Sequence, residues 1–397
     1  MNILKILGVL AVIIFVFWFI LWKRYQGKVL YIGKDNIPFN YLEKKKLPCS
    51  YSPHWKFGLD PMVNTGAAFS QNKSKYRPTR EILYGEDGGE FGIDWFVDDK
   101  HNNFAPDAPI LVLVHGLSGG SSEPYLQKLG LRTMRKLGWR TVCVLFRGCC
   151  GTKLTTHTIY NGAFTSDLHV ALRTISDRFP KAKIALVGYS LGANVIAKYL
   201  GERTSKQRPA IKYKHVTENQ PIPKQLICAV SICCPFDLVN SDKIYNDKLQ
   251  LFLGKPLLKY LAKHRDSVKT IEGFEEMEKK FNEAGDFRCR VFDNTFTCKL
   301  SGYNTGLEYY ADASSARYID GIQIPTLFIS AKNDPISLYS GIPLNEIEKN
   351  KMTGAIITPC GGHLGFFSMF DTAKTLDEEI VVEFVSKAFN SDEEKTD

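Results

Sequence analysis

Gly188-Tyr189-Ser190-Leu191-Gly192 is a G-x-S-x-G, the spacing of an activated serine nucleophile. It follows the apolar run Ile184–Val187 and precedes helical spacing through Ala193, Val195, Ile196, Ala197 and Leu200. A serine on such a strand–turn–helix is held in a strained backbone conformation, with its hydroxyl pushed clear of the sheet. Gly188 and Gly192 avoid Cβ clashes across so sharp a turn. The bland alternative is a glycine-rich helix entry with an ordinary serine. The strand before and the helix after argue for the chemical reading.

A serine hydroxyl is a poor nucleophile at neutral pH, so it needs a general base, and the base needs an acid to orient it. With this turn the partners follow in the order serine, acid, histidine. Of the eight histidines, His54, His101, His115, His157 and His169 precede Ser190. His215 and His264 fall in a polar loop and in an expected insertion. His363, in Cys360-Gly361-Gly362-His363-Leu364-Gly365-Phe366, directly follows the last expected strand. Its glycines let a loop bring the imidazole close. The expected acid is Asp334, in the loop after Ile324–Ser330. Asp312 begins an expected helix, where a cap role suffices, and Asp320 precedes the strand. The oxyanion needs at least two donors. The Leu191 amide is one, and the Leu117 amide, in His115-Gly116-Leu117-Ser118-Gly119-Gly120, is the candidate second. The helix from Leu191 points its positive end at the developing charge. His115 itself reads as structural.

These residues need a scaffold, and the apolar pattern supplies one. A hairpin is expected at Arg80–Tyr84 and Phe91–Phe96 around Glu86-Asp87-Gly88-Gly89. Strands at Pro109–Val114, Thr141–Phe146, Lys183–Val187, Leu226–Ile232, Thr326–Ser330 and Ala355–Thr358 alternate with helices near 125–134, 167–178 and 191–200. Alternation of this kind means an α/β protein, a mostly parallel sheet with helices on both faces. Between about 235 and 311 the alternation breaks into two amphipathic helices and aromatic-rich irregular segments, read as a cap over the strand carboxyl ends. Residues 202–224 read as a polar loop. Residues 391–397 read as a disordered tail.

The N-terminus is different in kind. Ile6 to Trp22 is wholly apolar, and Ile3 and Leu4 extend it past Lys5. At 1.5 Å per residue that run reaches roughly 30 Å, one hydrocarbon thickness. Trp18, Trp22 and Tyr25 suit a water–lipid boundary. No small-x-small cleavage site follows, so a retained anchor over residues 1–22 is favoured over a signal peptide. Residues 23–80 hold twelve Lys or Arg and three Asp or Glu, a net +9 equal to that of the whole chain. They read as a basic juxtamembrane arm, with its distal half a solvated linker, ahead of a catalytic domain at 81–390. A charge excess confined to that stretch is not the footprint of a nucleic-acid binder. The expected partners are a lipid bilayer and an acyl-ester lipid. The positive-inside rule leans towards a cytoplasmic domain. The endoplasmic reticulum is a candidate location, and oligomeric state is left open.

No metal or cofactor is expected. Ten cysteines include two adjacent pairs but no C-x-x-C, so zinc-ribbon and redox motifs lack support. Cys143, Cys228 and Cys233 lie in apolar runs and read as buried small hydrophobes. The sequon Asn72-Lys73-Ser74 decides nothing.

The sequence resembles the membrane-anchored α/β-hydrolase-domain lipases, a subfamily with phospholipase-like and monoacylglycerol-lipase-like members and the yeast medium-chain fatty-acid ethyl ester synthase/esterases. Arg80–Phe96, Leu113–Leu126, Phe146–Thr155, Val187–Leu200, Tyr309–Ala316, Ile324–Pro335 and Gly361–Phe367 carry the resemblance. It implies an α/β-hydrolase fold and a triad of Ser190, Asp334 and His363, the residues chosen above. No histidine is followed by Asp five residues on, so the H-x4-D acyltransferase motif of some relatives is absent. Lipid-ester hydrolysis through an acyl-enzyme is the leading expectation. Ester synthesis on an alcohol acceptor and a catalytically inactive lipid-binding module are the alternatives.

Overall fold

A computed structural model describes residues 3–45, 47–58, 60–71, 74–206 and 220–391. His215, most of the sequon and all but the first residue of the expected tail lie outside the described residues.

Among the described residues nine strands form one sheet. In chain order they are β1 (Leu30–Ile32), β2 (Thr79–Tyr84), β3 (Glu90–Phe96), β4 (Ile110–Val114), β5 (Arg140–Leu145), β6 (Ile184–Tyr189), β7 (Leu226–Ile232), β8 (Thr326–Ala331) and β9 (Thr353–Thr358). Their order across the sheet is β1-β9-β8-β7-β6-β4-β5-β3-β2. The six strands from β9 to β5 are mutually parallel. The hairpin β2–β3 continues the sheet antiparallel at one edge and β1 does so at the other. Every residue of β4, β8 and β9 is buried, as parallel strands covered on both faces require.

Alternate strand residues feed two cores. Ile110, Val112 and Val114 join Leu168, Leu172 and Ile175 of the helix Ser166–Arg178 and much of the cap. Leu111 and Leu113 join Leu126 and Leu129 of the helix Pro124–Leu137, and Val381 and Phe384 of the C-terminal helix Leu376–Asn390. The cap stretch is more helical than its sequence suggests. Besides Leu238–Ile244, Asp247–Val268 and Phe274–Ala284, the segments expected to be irregular form short helices at Cys289–Phe292, Cys298–Ser301 and Gly306–Ala313, joined through a π turn at Asp293–Thr297. Helices of four to eight residues are too short to leave a periodic signature.

The boundary expected at residue 80 does not divide the molecule. β1 pairs with β9 through Ile32–Ala355, Tyr31–Ile356 and Leu30–Ile357. The helix Pro61–Phe69, capped by Asp60 Oδ1 accepting from the Val63 amide, packs beside the His363 loop. The distal arm is therefore folded onto the domain, not a solvated linker. Its turn-rich composition hid contacts to residues some 300 positions away.

The apolar N-terminus forms the helix Ile3–Tyr25 (α1), with exposed side chains along it. Among the described residues no helix is long and apolar enough to cross a membrane. The expected transmembrane segment is thus met by a helix and not by a demonstrated span.

Candidate active site

Ser190 stands between β6 and the helix Leu191–Gly201 (α5) with φ 54° and ψ −120°, a conformation that L-residues adopt only when their surroundings enforce it. The Ser190 amide donates to the Ile232 carbonyl at 2.9 Å. The flanking glycines are needed for space. A Cβ on Gly192 would lie 2.5 Å from the carbonyl oxygens of Val114 and His115, and one on Gly188 would lie 2.6 Å from the Gly192 carbonyl. Strain concentrates here: of the five non-glycine residues with positive φ among the described residues, Ser118, Ser190, Cys233 and Leu364 border this site.

The loops after β6, β8 and β9 bring the three candidate residues together. His363 Nε2 lies 2.7 Å from Ser190 Oγ. His363 Nδ1 lies 2.9 and 3.1 Å from the two oxygens of Asp334. Asp334 and His363 are buried, while Ser190 is part-exposed. Asp334 Oδ1 also accepts from the amides of Ile336 and Ser337, both at 2.8 Å, which fixes the carboxylate. A carboxylate on Nδ1 selects the tautomer protonated there and leaves the Nε2 lone pair facing the serine hydroxyl.

The expected oxyanion donors border the same space. Leu117, Ser190 and Leu191 line one cavity. The Leu191 amide begins α5 and has no intrahelical partner. In the other loop the neighbouring amides are engaged: Gly116 donates to the Tyr125 hydroxyl at 3.4 Å and Ser118 to the Tyr160 hydroxyl at 3.1 Å. His115 holds this loop from beneath. Its Nδ1 meets the Gly116 carbonyl at 2.7 Å, and its Nε2 accepts from the Phe146 amide at 3.0 Å. Burial, against the support of the Gly116 carbonyl, pushes its pKa down to about 4, so it stays neutral and structural at neutral pH.

The rival acids lie elsewhere. Asp312 meets Lys198 Nζ at 3.2 Å in a buried cluster, and Asp320 accepts from Ser205 and from the Lys206 amide. His264 tethers the cap by a 2.8 Å contact to the Gly148 carbonyl. Cys233 Sγ lies with Asp334 and His363 in one group whose ligand atoms are within 4.8 Å of one another. That is a metal-ligating donor set on paper. Here Asp334 and His363 hold each other, Cys233 Sγ accepts from the Leu364 amide at 3.4 Å, and burial first, then Asp334, pushes the thiol well up. A protonated thiol is a poor ligand.

Two contributors escaped the sequence reading. Thr65 Oγ1 accepts from the His363 amide at 2.9 Å, and Asn64 Nδ2 donates to the Gly365 carbonyl at 3.0 Å. Asp60-Pro61 signals a helix start, but no local pattern places that helix beneath the histidine loop.

The cavity over Ser190 has a volume of about 770 Å³ including its mouth. Its walls include Leu238, Leu253, Leu257 and Ile336, with Tyr245, Tyr309 and Tyr310 beside them. Asp293 lies in the wall, accepting from Thr297 Oγ1 at 2.6 Å and the Tyr310 hydroxyl at 2.8 Å. Burial pushes its carboxyl up despite those donors. The cap thus presents to the hydroxyl of Ser190 a mostly apolar chamber, with Ser241, Asp242, Gln250, Asp293 and Thr297 also in its lining.

The α/β hydrolase fold family matches residues 109–208, the stretch from β4 through α5. Three curated relatives extend the likeness. An embryogenesis-associated protein of Picea glauca is 33% identical over 76% of this chain and 64% of its own length. The chain thus spans slightly under two thirds of that relative. A monoacylglycerol lipase of Saccharomyces cerevisiae is 29% identical over 82% of the chain and 70% of the relative. The medium-chain fatty acid ethyl ester synthase/esterase 2 of the same yeast is 28% identical over 84% and 86%. The chain thus carries an α/β-hydrolase fold and is similar to proteins named as lipases and esterases, a likeness consistent with a carboxylic ester hydrolase.

Proposed function

We propose that this protein is a membrane-seated serine hydrolase that cleaves acyl esters of lipids. The observation that supports it is the 2.7 Å approach of His363 Nε2 to Ser190 Oγ, with Asp334 behind the imidazole, at the floor of an apolar chamber. Ser190 Oγ attacks the ester carbonyl as its proton passes to His363 Nε2. The imidazolium that forms is stabilised by Asp334. The carbonyl oxygen, now carrying charge, is met by the amides of Leu191 and Leu117, where each fixed donor contributes about 3–4 kcal/mol to the transition state. His363 then gives its proton to the leaving alcohol. Water, activated by the same imidazole, releases the acid and restores Ser190.

A lipid acyl chain fits a chamber walled by leucine, isoleucine and tyrosine, and the apolar helix Ile3–Tyr25 would hold the enzyme at its substrate. The relative named as an ethyl ester synthase/esterase supports a second reading. There an alcohol replaces water in the second half-reaction and the product is a new ester. Turnover by the full chain of monoacylglycerols, phospholipids and short esters, with and without ethanol, tests both. Release of free acid that depends on Ser190 supports hydrolysis. Ethyl ester as the main product would favour synthesis. Ester cleavage undiminished in Ser190→Ala would defeat both readings.

A further inference from the structure

We propose that Trp55, Met62, Val63 and Phe370 form a lipid-contact patch that rests on the bilayer surface beside the base of α1. The inference rests on the membrane reading of α1 given above and adds a second contact. These four large apolar side chains are 46%, 44%, 53% and 75% exposed.

Trp55 and Phe370 adjoin, and Met62 and Val63 follow on the next helix of the chain. The Trp55 amide donates to the Met369 carbonyl at 3.1 Å, which sets Phe370 beside the Trp55 turn. Asp60 starts the Pro61–Phe69 helix five residues further on, with Met62 and Val63 on its outer face. The end of α1 is pinned to the same turn. Trp18 Nε1 donates to the Trp55 carbonyl at 3.0 Å and Trp22 Nε1 to the Pro53 carbonyl at 3.2 Å. Tryptophans at the end of an apolar helix mark the water–lipid boundary. With α1 in a bilayer, that boundary falls at residues 53–55, and the neighbouring patch faces headgroups and acyl chains rather than water.

Lys56, exposed beside Trp55, offers a cation to an anionic headgroup, and the exposed Asp60 and Asp371 also border the patch. A lipid surface, not a soluble protein, is the occupant to which α1 leads. The position also matters for the site. The helix that turns Met62 and Val63 outward uses its inner face, through Asn64 and Thr65, to hold the His363 loop. Membrane contact therefore lies one helix thickness from the candidate general base.

The test uses the full chain reconstituted in phosphatidylcholine–phosphatidylserine vesicles that carry a monoacylglycerol. Val63→Asp with Phe370→Asp should lower turnover of the vesicle-borne ester about tenfold. Turnover of a short water-soluble ester should stay within about twofold. Restoring bulk with Val63→Leu and Phe370→Leu should restore vesicle turnover. Vesicle turnover unchanged by the aspartates overturns the proposal, and so does an equal fall on both esters in the double variant and in Phe370→Asp alone. Flotation after an alkaline wash reads the α1 anchor separately. Loss of wild type from the vesicles would sink the anchor reading, while the ratio of the two turnovers would still decide the patch.

Discussion

Helix α5 has a buried polar cluster at each end, and the two differ in what lies beyond them. At its C-terminal end Lys198 sits almost fully buried, with Glu202 at 2.9 Å, Asp312 at 3.2 Å and the Tyr318 hydroxyl at 3.3 Å. Burial opposes its charge, but Glu202 and Asp312 outweigh that and hold the ammonium well above the usual lysine range. Every charge there is matched and enclosed. At the N-terminal end the chain Asp334–His363–Ser190 is equally short-ranged but ends at a cavity. A closed cluster fixes geometry, whereas an open chain can pass a proton to a guest. The enclosed end also serves the open one. Asn194 Nδ2 donates to the carbonyls of Gly162 and Ala313, and Lys198 ties the same helix to Asp312, so the turn at Ser190 is held against the edge of the cap.

That contrast can be broken by substitution, and the largest effects belong to the open end. Ser190→Ala should lower kcat for ester cleavage by about 10⁶-fold, with the urea unfolding midpoint little changed. Asp334→Asn should cost about 10⁴-fold in kcat by stabilising the wrong imidazole tautomer, measured under saturating substrate.

At the closed end the cost should appear in stability. Lys198→Met strands the buried Asp312 carboxylate and leaves Glu202 with the Arg203 cation at 3.6 Å, and should destabilise by about 3–5 kcal/mol in urea unfolding. Remaining folded enzyme should keep most of its turnover.

His115 sharpens the contrast through pH. It is neutral when folded, with a pKa of about 4 against 6.5 when unfolded. Its contribution is therefore present above pH 6.5 and is lost as pH falls towards 4, by roughly 3 kcal/mol at most. Unfolding midpoints across that window should fall less steeply in His115→Gln than in wild type.

Thr65→Val leaves the buried His363 amide without its acceptor, a loss of about 1–3 kcal/mol. It should lower kcat about tenfold with little change in KM, and Thr65→Ser should restore it.

How much of this could be read in the chain depends on whether a feature is local. The parallel strands were legible because runs such as Ile110–Val114 are wholly apolar. The Ser190 turn was legible because its glycines, strand and helix are contiguous. His363 and Asp334 followed from chain order and from loops that end apolar runs. Nothing local ties the Pro61–Phe69 helix to the domain, because Thr65 meets His363 only through the fold. The short helices of the cap lacked enough turns to show a period. Asp293 entered the cavity wall by way of a π turn that no spacing rule announces.

Ser190 as the nucleophile is the claim on which the rest depends, and covalent trapping tests it most directly. The full chain, treated with a fluorophosphonate and digested, should yield one phosphonylated peptide with the adduct on Ser190, and turnover should fall in step with labelling. An active preparation that takes up no label, or takes it up at another residue while Ser190 stays unmodified, would contradict the account.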